Sequence, residues 1–265
     1  MPVKVPVSSL PAFSMLGSGP TVLMLHGVGG GHDAFAPQLE HLATQGYRAV
    51  AWDMPGYGRS APVQPYHFKG LAERCIALID SLQAAPVVLV GHSMGGMVAQ
   101  EVMARRPDCV RALVLCGTSA AFGKPDGDWQ TAFLAERYAP LDMGCSMAEL
   151  AAQLVPAMIG PRAWADGVAL AQRCMANVPA AIYRKALAAL MGFDRQAALA
   201  RIHVPTLLVA GSHDRHAPPR VMKKMAREIA GSSYVELAGV GHLQNLEAPA
   251  EFDAALLSFL AQPKH

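Results

Sequence analysis

The sequence predicts an α/β fold, a mostly parallel central sheet with helices on both faces and an inserted helical lid, and three observations carry the prediction. Short apolar, β-branched runs alternate with longer amphipathic stretches up to residue 117 and again after residue 201. Of the 265 residues 52% are hydrophobic and only 16% charged, a composition that suits a large buried core and excludes a disordered chain. Over 118–201 the alternation stops and alanine- and methionine-rich helical sequence takes over, while the pattern on either side continues one sheet.

Taken in chain order, the strands are expected at 21–26 (TVLMLH), 48–53 (RAVAWD), 87–91 (VVLVG), 112–116 (ALVLC), 206–210 (TLLVA) and 233–237 (SYVEL), with weaker ones inside 3–15. Helices are expected near 35–45, 68–82, 94–106, 219–230 and 249–260, and Pro219 and Pro249 stand where a first helical turn tolerates proline. In the lid, Pro140, Pro156, Pro161 and Pro179 are expected to break the helical pieces. The division is therefore a core of 1–117 and 202–265 around a lid of 118–201.

Several function classes are excluded by composition. A formal net charge of +2 with no lysine or arginine run lacks the footprint of a nucleic-acid binder. Five scattered cysteines (Cys75, Cys109, Cys116, Cys145, Cys174) offer no CxxC pair and no zinc spacing, so they read as buried small hydrophobes in a reducing compartment. The opening MPVKVPVSSLPAF has no charged leader, and no apolar stretch reaches the ~18 residues of a membrane span. A cytoplasmic protein without metal or organic cofactor is the expectation.

The chemistry lies in Gly91-His92-Ser93-Met94-Gly95, a GxSxG motif between an apolar strand and an amphipathic helix. A turn that tight needs glycines where a Cβ would clash, and it projects the Ser93 hydroxyl from a strained backbone. The N–H of Met94, free of intrahelical bonding, becomes one donor for a developing oxyanion. The glycine-rich loop after 21–26 (His26-Gly27-Val28-Gly29-Gly30-Gly31) can supply the second from Val28. A serine hydroxyl needs a base with a pKa near 7, and His242, in a loop after the last strand, fits that need. His242 needs a carboxylate to fix its tautomer. Asp214, in the loop after 206–210, is the candidate, and Asp53, at the end of another strand, competes with it.

In order along the chain, LMLHGVGG, the DMPGYGRS loop at Asp53 to Ser60, GHSMGG, and the paired segments GSHDRHAP and GVGHLQNLE resemble the α/β-hydrolase superfamily over nearly the whole length. The resemblance implies the α/β-hydrolase fold and the chain order Ser, Asp, His, and it makes the Asp53 loop structural. Within the superfamily, GHLQNLEAPAEF is similar to the tail of enol-lactonases and small carboxylesterases. Carbon–carbon bond hydrolases commonly carry a tryptophan soon after the histidine, where this chain has Leu243, Gln244 and Asn245, which disfavours that chemistry.

The expected activity is hydrolysis of a small carboxylic ester or (enol-)lactone through an acyl-enzyme on Ser93. Carbon–carbon hydrolysis, cofactor-free haloperoxidase or perhydrolase activity, and a non-catalytic small-ligand receptor are the rivals. His26 and His92 are expected to be structural, and His32, His213 and His216 to lie at the surface, with lining the mouth of the pocket as the alternative for each. The lid methionines (Met143, Met147, Met158, Met175, Met191) with Trp129 and Trp164 read equally as an adaptable pocket or as core. Arg137, Arg162, Arg173 and Arg184 are candidates for a substrate carboxylate, with none singled out. A homodimer stays open, because an apolar lid surface can face a second subunit as well as a substrate.

Overall fold

The computed structural model describes residues 10–123 and 127–262. Seven strands form one sheet in the order β1-β3-β2-β4-β5-β6-β7: Phe13–Leu16, Arg48–Trp52, Thr21–Leu25, Val87–His92, Val110–Cys116, Thr206–Gly211 and Ser233–Leu237. Within this sheet, among the described residues, only β1 is antiparallel, along β3, and the other strand pairings are parallel. The six expected strands are present to within two residues at each end. The expectation of strands inside 3–15 is met by β1, and its portion over 3–9 lies outside the described residues.

The central strands are apolar on both faces because helices cover both, and period-two alternation divides their side chains between two cores. Leu23, Leu25, Val50, Trp52, Leu89, Leu113, Leu115 and Leu208 face one core, where α2 (Phe68–Ser81), α3 (Met94–Arg105) and α8 (Pro219–Glu228) pack. Val22, Met24, Ala49, Val88, Val90, Val114 and Val209 face the other, closed by α1 (Ala36–Thr44) and α10 (Pro249–Leu260).

Between β5 and β6 the described residues form four α-helices, α4 (Asp128–Asp142), α5 (Met147–Met158), α6 (Ala165–Ala176) and α7 (Ala180–Leu190), and a 3₁₀ turn at Gln196–Arg201. Ser146 caps α5 in a reciprocal box with Glu149, which supplies acceptors for the first free N–H groups. Two of the four expected breaks are corrected here. Pro140 and Pro156 lie inside α4 and α5, each in the final turn: the missing N–H leaves one carbonyl of the preceding turn without its helical donor, and each helix ends two residues later. Pro161 and Pro179 do fall between helices. One short helix, α9 (Gln244–Glu247), was not expected.

The chain runs from β2 to β3 on one side and then to β4 on the other, so the loops after β2 and β4 leave adjacent strands at the same edge. That switch of direction is where open α/β sheets place ligands.

Candidate active site

Ser93 sits between β4 and α3 with φ 52° and ψ −119°, in the left-handed region that a side chain seldom adopts. Neighbouring structure enforces this strain. The Ser93 N–H donates to the Cys116 carbonyl (2.9 Å), and Thr118 Oγ1 donates to the Ser93 carbonyl (2.7 Å). A Cβ on Gly95 would stand 2.1 Å from the Leu25 carbonyl oxygen, and one on Gly91 would stand 2.5 Å from Gly96 Cα. Both glycines of the motif are thus required by close backbone approach between β2, β4 and α3.

Two hydrogen bonds connect the three sequence-derived residues. Ser93 Oγ is 3.0 Å from His242 Nε2, and His242 Nδ1 is 2.8 Å from Asp214 Oδ2. The other carboxylate oxygen of Asp214 accepts the N–H groups of His216 (2.7 Å) and Ala217 (2.9 Å). Burial alone would raise the Asp214 carboxyl, but the charge and hydrogen bond of His242 and the two backbone donors outweigh it and hold the carboxyl well below the usual carboxylate range. Asp214 is therefore ionised at neutral pH and fixes the proton of His242 on Nδ1, which leaves Nε2 free to accept from Ser93.

Asp53 does not join this line. Its Oδ1 accepts from the His32 N–H and meets His32 Nδ1, each at 3.0 Å, on the far side of the glycine-rich loop. His26 links that loop to the Asp53 loop: its Nε2 accepts the Met54 N–H (3.0 Å), so its Nδ1 carries the proton donated to the Gly27 carbonyl (2.7 Å). Burial pushes His26 down to about 4, and burial with the neighbouring His242 pushes His92 down to about 3. His92 is neutral and donates from Nε2 to the His242 carbonyl (2.7 Å). Both serve loop architecture.

His213 and His216 are exposed, as expected, and His32 is half-buried; His216 also lines the cavity. The turn that satisfies Asp214 brings the His216 ring 4.9 Å from the His242 ring, and desolvation of its cavity-facing side, followed by the His242 charge, lowers it to about 4. Asp214, His216 and His242 also bring three potential metal-ligand atoms within 4.8 Å of one another. A metal there would have to break the Asp214–His242 bond or displace the backbone donors on Asp214, so the donor set is already committed.

The N–H groups of Val28 and Met94 have no hydrogen-bond acceptor among the described residues. They flank Ser93 because β2 and β4 pair with Leu25 opposite Gly91, and Val28 is held by Tyr57, whose hydroxyl donates to its carbonyl (2.9 Å).

Sequence reasoning missed the residues that hold His242. Glu247, in α9, is buried with no cation partner among the described residues. Its Oε2 accepts from Gly160 and Gly241 (both 2.7 Å) and its Oε1 from Leu243 (2.8 Å), so one carboxylate clamps both neighbours of His242 and ties them to the inserted segment. The His242 N–H donates to Met158 (2.7 Å) at the end of α5. Gln244 donates to Asp214 Oδ2 (3.3 Å) and to Gly241 (2.9 Å). Only the spacing of an acid five residues after the histidine hinted at any of this.

A cavity of about 630 Å³ opens over Ser93 between the sheet edge and the inserted helices. Met97, Met158, Met175, Leu154 and Leu187 form apolar walls, and Phe122, Trp129 and Phe133 cluster with ring centroids 5.1–5.4 Å apart. Of the expected methionines, Met143 is exposed, Met147 is buried in the core and Met191 packs against it. Trp164 does not line the cavity.

Residues 22–255 match the model of the alpha/beta hydrolase family. The chain belongs to that family. It is similar to a RutD protein of Variovorax paradoxus strain S110, named as a carbamate hydrolase, with 32% identity over 255 residues and 92% of each chain covered. Among solved structures it resembles the enol-lactonase from Burkholderia xenovorans LB400, at 26% identity and a TM-score of 0.83, covering 95% of this chain and 96% of that one. A thermophilic esterase from Thermogutta terrifontis matches at 25% identity and a TM-score of 0.84, over 94% and 92% of the two chains. No helix among the described residues is long and apolar enough to cross a membrane.

Proposed function

We propose that this hydrolase cleaves a small carboxylic ester or enol-lactone through an acyl-enzyme on Ser93. The observation that carries the reading is the Ser93–His242–Asp214 hydrogen-bond line, oriented so that the base faces the nucleophile at 3.0 Å inside a largely apolar cavity. Ser93 Oγ attacks the carbonyl carbon while His242 Nε2 takes its proton. The N–H groups of Val28 and Met94 receive the developing oxyanion, an electrostatic contribution worth ~10²–10³ in turnover per donor. His242 then protonates the departing alcohol or enol oxygen, and a water deprotonated by the same nitrogen releases the acid.

The names of the enol-lactonase and the esterase support this bond class, and the carbamate hydrolase name extends it to a carbonyl carbon attacked in the same way. The free cysteines, four of them buried, support a reducing compartment such as the cytoplasm. The test is a panel of 4-nitrophenyl esters, enol-lactones, aryl carbamates and a carbon–carbon hydrolase substrate, run with wild type and Ser93→Ala. Ser93-dependent turnover of an ester or lactone is the expected result. Turnover confined to the carbon–carbon substrate, or tight binding of the panel with no turnover, overturns the reading.

A further inference from the structure

Of the four arginines that the sequence offers for a substrate carboxylate, three are disposed of by their surroundings. Arg162 pairs with Glu251 and the Ala238 carbonyl at the surface, Arg184 pairs with Asp142 beside Tyr138, and Arg173 is exposed and away from the cavity. Arg137, in α4, differs: it lines the cavity with its side chain only 14% exposed. Its guanidinium lies over the Phe133 ring, 3.5 Å from the centroid. One nitrogen, Nη1, donates to the Phe133 carbonyl (3.2 Å) and to Glu136 (3.3 Å), a carboxylate that also lines the rim of the cavity but is 77% exposed, so that solvent screens its charge. Nε and Nη2 have no acceptor among the described residues, and neither is fully enclosed.

We propose that Arg137 is an anion-recognition residue and that the physiological substrate is an ester or lactone carrying a free carboxylate. The inference rests on the ester or lactone reading of the same cavity and narrows it to acidic substrates. A guanidinium drawn this far from water among aromatic rings is stabilised by an anion that arrives with the ligand, and its open edge presents the fork that a carboxylate fills with two parallel hydrogen bonds. A monoanion fits better than a phosphate: one guanidinium balances one charge, and a second negative charge among Phe122, Phe133 and Tyr183 would be left uncompensated. Arg137 is also near enough to the catalytic side for its charge to add to the lowering at His216. Arg215 reaches the same cavity but is exposed, where water and salt screen it.

The experiment compares mono-4-nitrophenyl esters of the straight-chain C4 to C7 dicarboxylic acids with neutral 4-nitrophenyl esters of matched length, in wild type, Arg137→Met and Arg137→Lys. Wild type should prefer the anionic ester by about tenfold to a hundredfold in kcat/KM at one or more chain lengths, the range of charge-assisted hydrogen bonds, with the effect chiefly in KM. Arg137→Met should lower that preference ratio at least tenfold, and Arg137→Lys by less. A wild type that hydrolyses the neutral esters as well at every length, or an Arg137→Met enzyme with an unaltered ratio, overturns the proposal. If Arg137→Met does not fold, the wild-type ratio and Arg137→Lys decide. A second arm is independent of turnover: valerate, and not valeramide, should raise the wild-type melting temperature, and the shift should disappear in Arg137→Met. Loss of all ester turnover with that shift intact would sink the catalytic reading and keep the anion site; turnover with no shift and no preference would do the reverse.

Discussion

Replacing Asp214 by asparagine changes one oxygen to an amide nitrogen, and the surroundings decide which one. Two backbone N–H groups, from His216 and Ala217, converge on Oδ1 at 2.7 and 2.9 Å, so the asparagine carbonyl must occupy that position. The amide NH₂ then stands where Oδ2 was, 2.8 Å from His242 Nδ1, and donates to it. His242 is forced to accept at Nδ1 and to carry its proton on Nε2, facing Ser93, where it no longer serves as a base. Recovering the active tautomer means flipping the amide and orphaning two backbone donors, at ~1–3 kcal/mol each, or ~2–6 kcal/mol together. At 1.36 kcal/mol per decade the expected fall in kcat for 4-nitrophenyl butyrate is between about 30-fold and ~10⁴-fold, with KM little changed. Asp53→Asn, measured beside it, should retain the triad's turnover because Asp53 meets His32 and not His242. An Asp214→Asn enzyme within about threefold of wild type, or an Asp53→Asn enzyme with the larger loss in kcat at an unchanged melting temperature, would refute the reasoning.

Glu247→Gln puts an amide NH₂ against at least one of the three backbone donors that the carboxylate now accepts, removing charge-assisted bonds worth about 1.5–3 kcal/mol each. The melting temperature and kcat should fall together as the His242 loop loosens; an unchanged kcat in a destabilised protein would confine Glu247 to stability. The fold should also weaken in mild acid. Above pH ~6.5 His26 and His92 are neutral whether folded or not. Below it the unfolded chain takes up protons that the folded one refuses until pH falls to about 4 for His26 and about 3 for His92, so stability is lost through that window by up to ~1.4 kcal/mol per pH unit per histidine. Melting temperatures recorded from pH 7.5 to 4.5 check this, and a flat profile contradicts it.

What the sequence makes legible here is whatever is required locally. Gly91 and Gly95 are readable because a strand must become a helix around Ser93 with no room for a Cβ, and the central strands are readable because burial on both faces makes them continuously apolar. Asp214 and His242 follow from their positions just beyond strands that end at one edge. The residues that escaped are defined by distant partners. Glu247 precedes an Ala-Pro pair and looks like an ordinary acid at the start of a helix, yet its carboxylate is claimed by Gly160, 87 residues away. His216, by contrast, is at the surface and at the pocket mouth, both of which its polar loop allows for; what the sequence does not show is that the turn of backbone N–H groups onto Asp214 sets its ring 4.9 Å from that of His242. Arg137 has the same residue type and helical setting as Arg173 and Arg184, and packing alone sets it apart. Pro140 and Pro156 sit inside their helices because a proline acts on the turn before it, removing the bond to the carbonyl four residues back, and each helix closes only two residues later.

The most direct test of the central claim is reaction with a fluorophosphonate, which needs an activated serine but no knowledge of the substrate. The intact mass should rise by one phosphonyl group, peptide mapping should place the adduct on Ser93, and Ser93→Ala should remain unlabelled with an unchanged melting temperature. Labelling of a different serine, or an intact protein that refuses the probe at every concentration while its active site is open to 4-nitrophenyl esters, would contradict a nucleophilic Ser93.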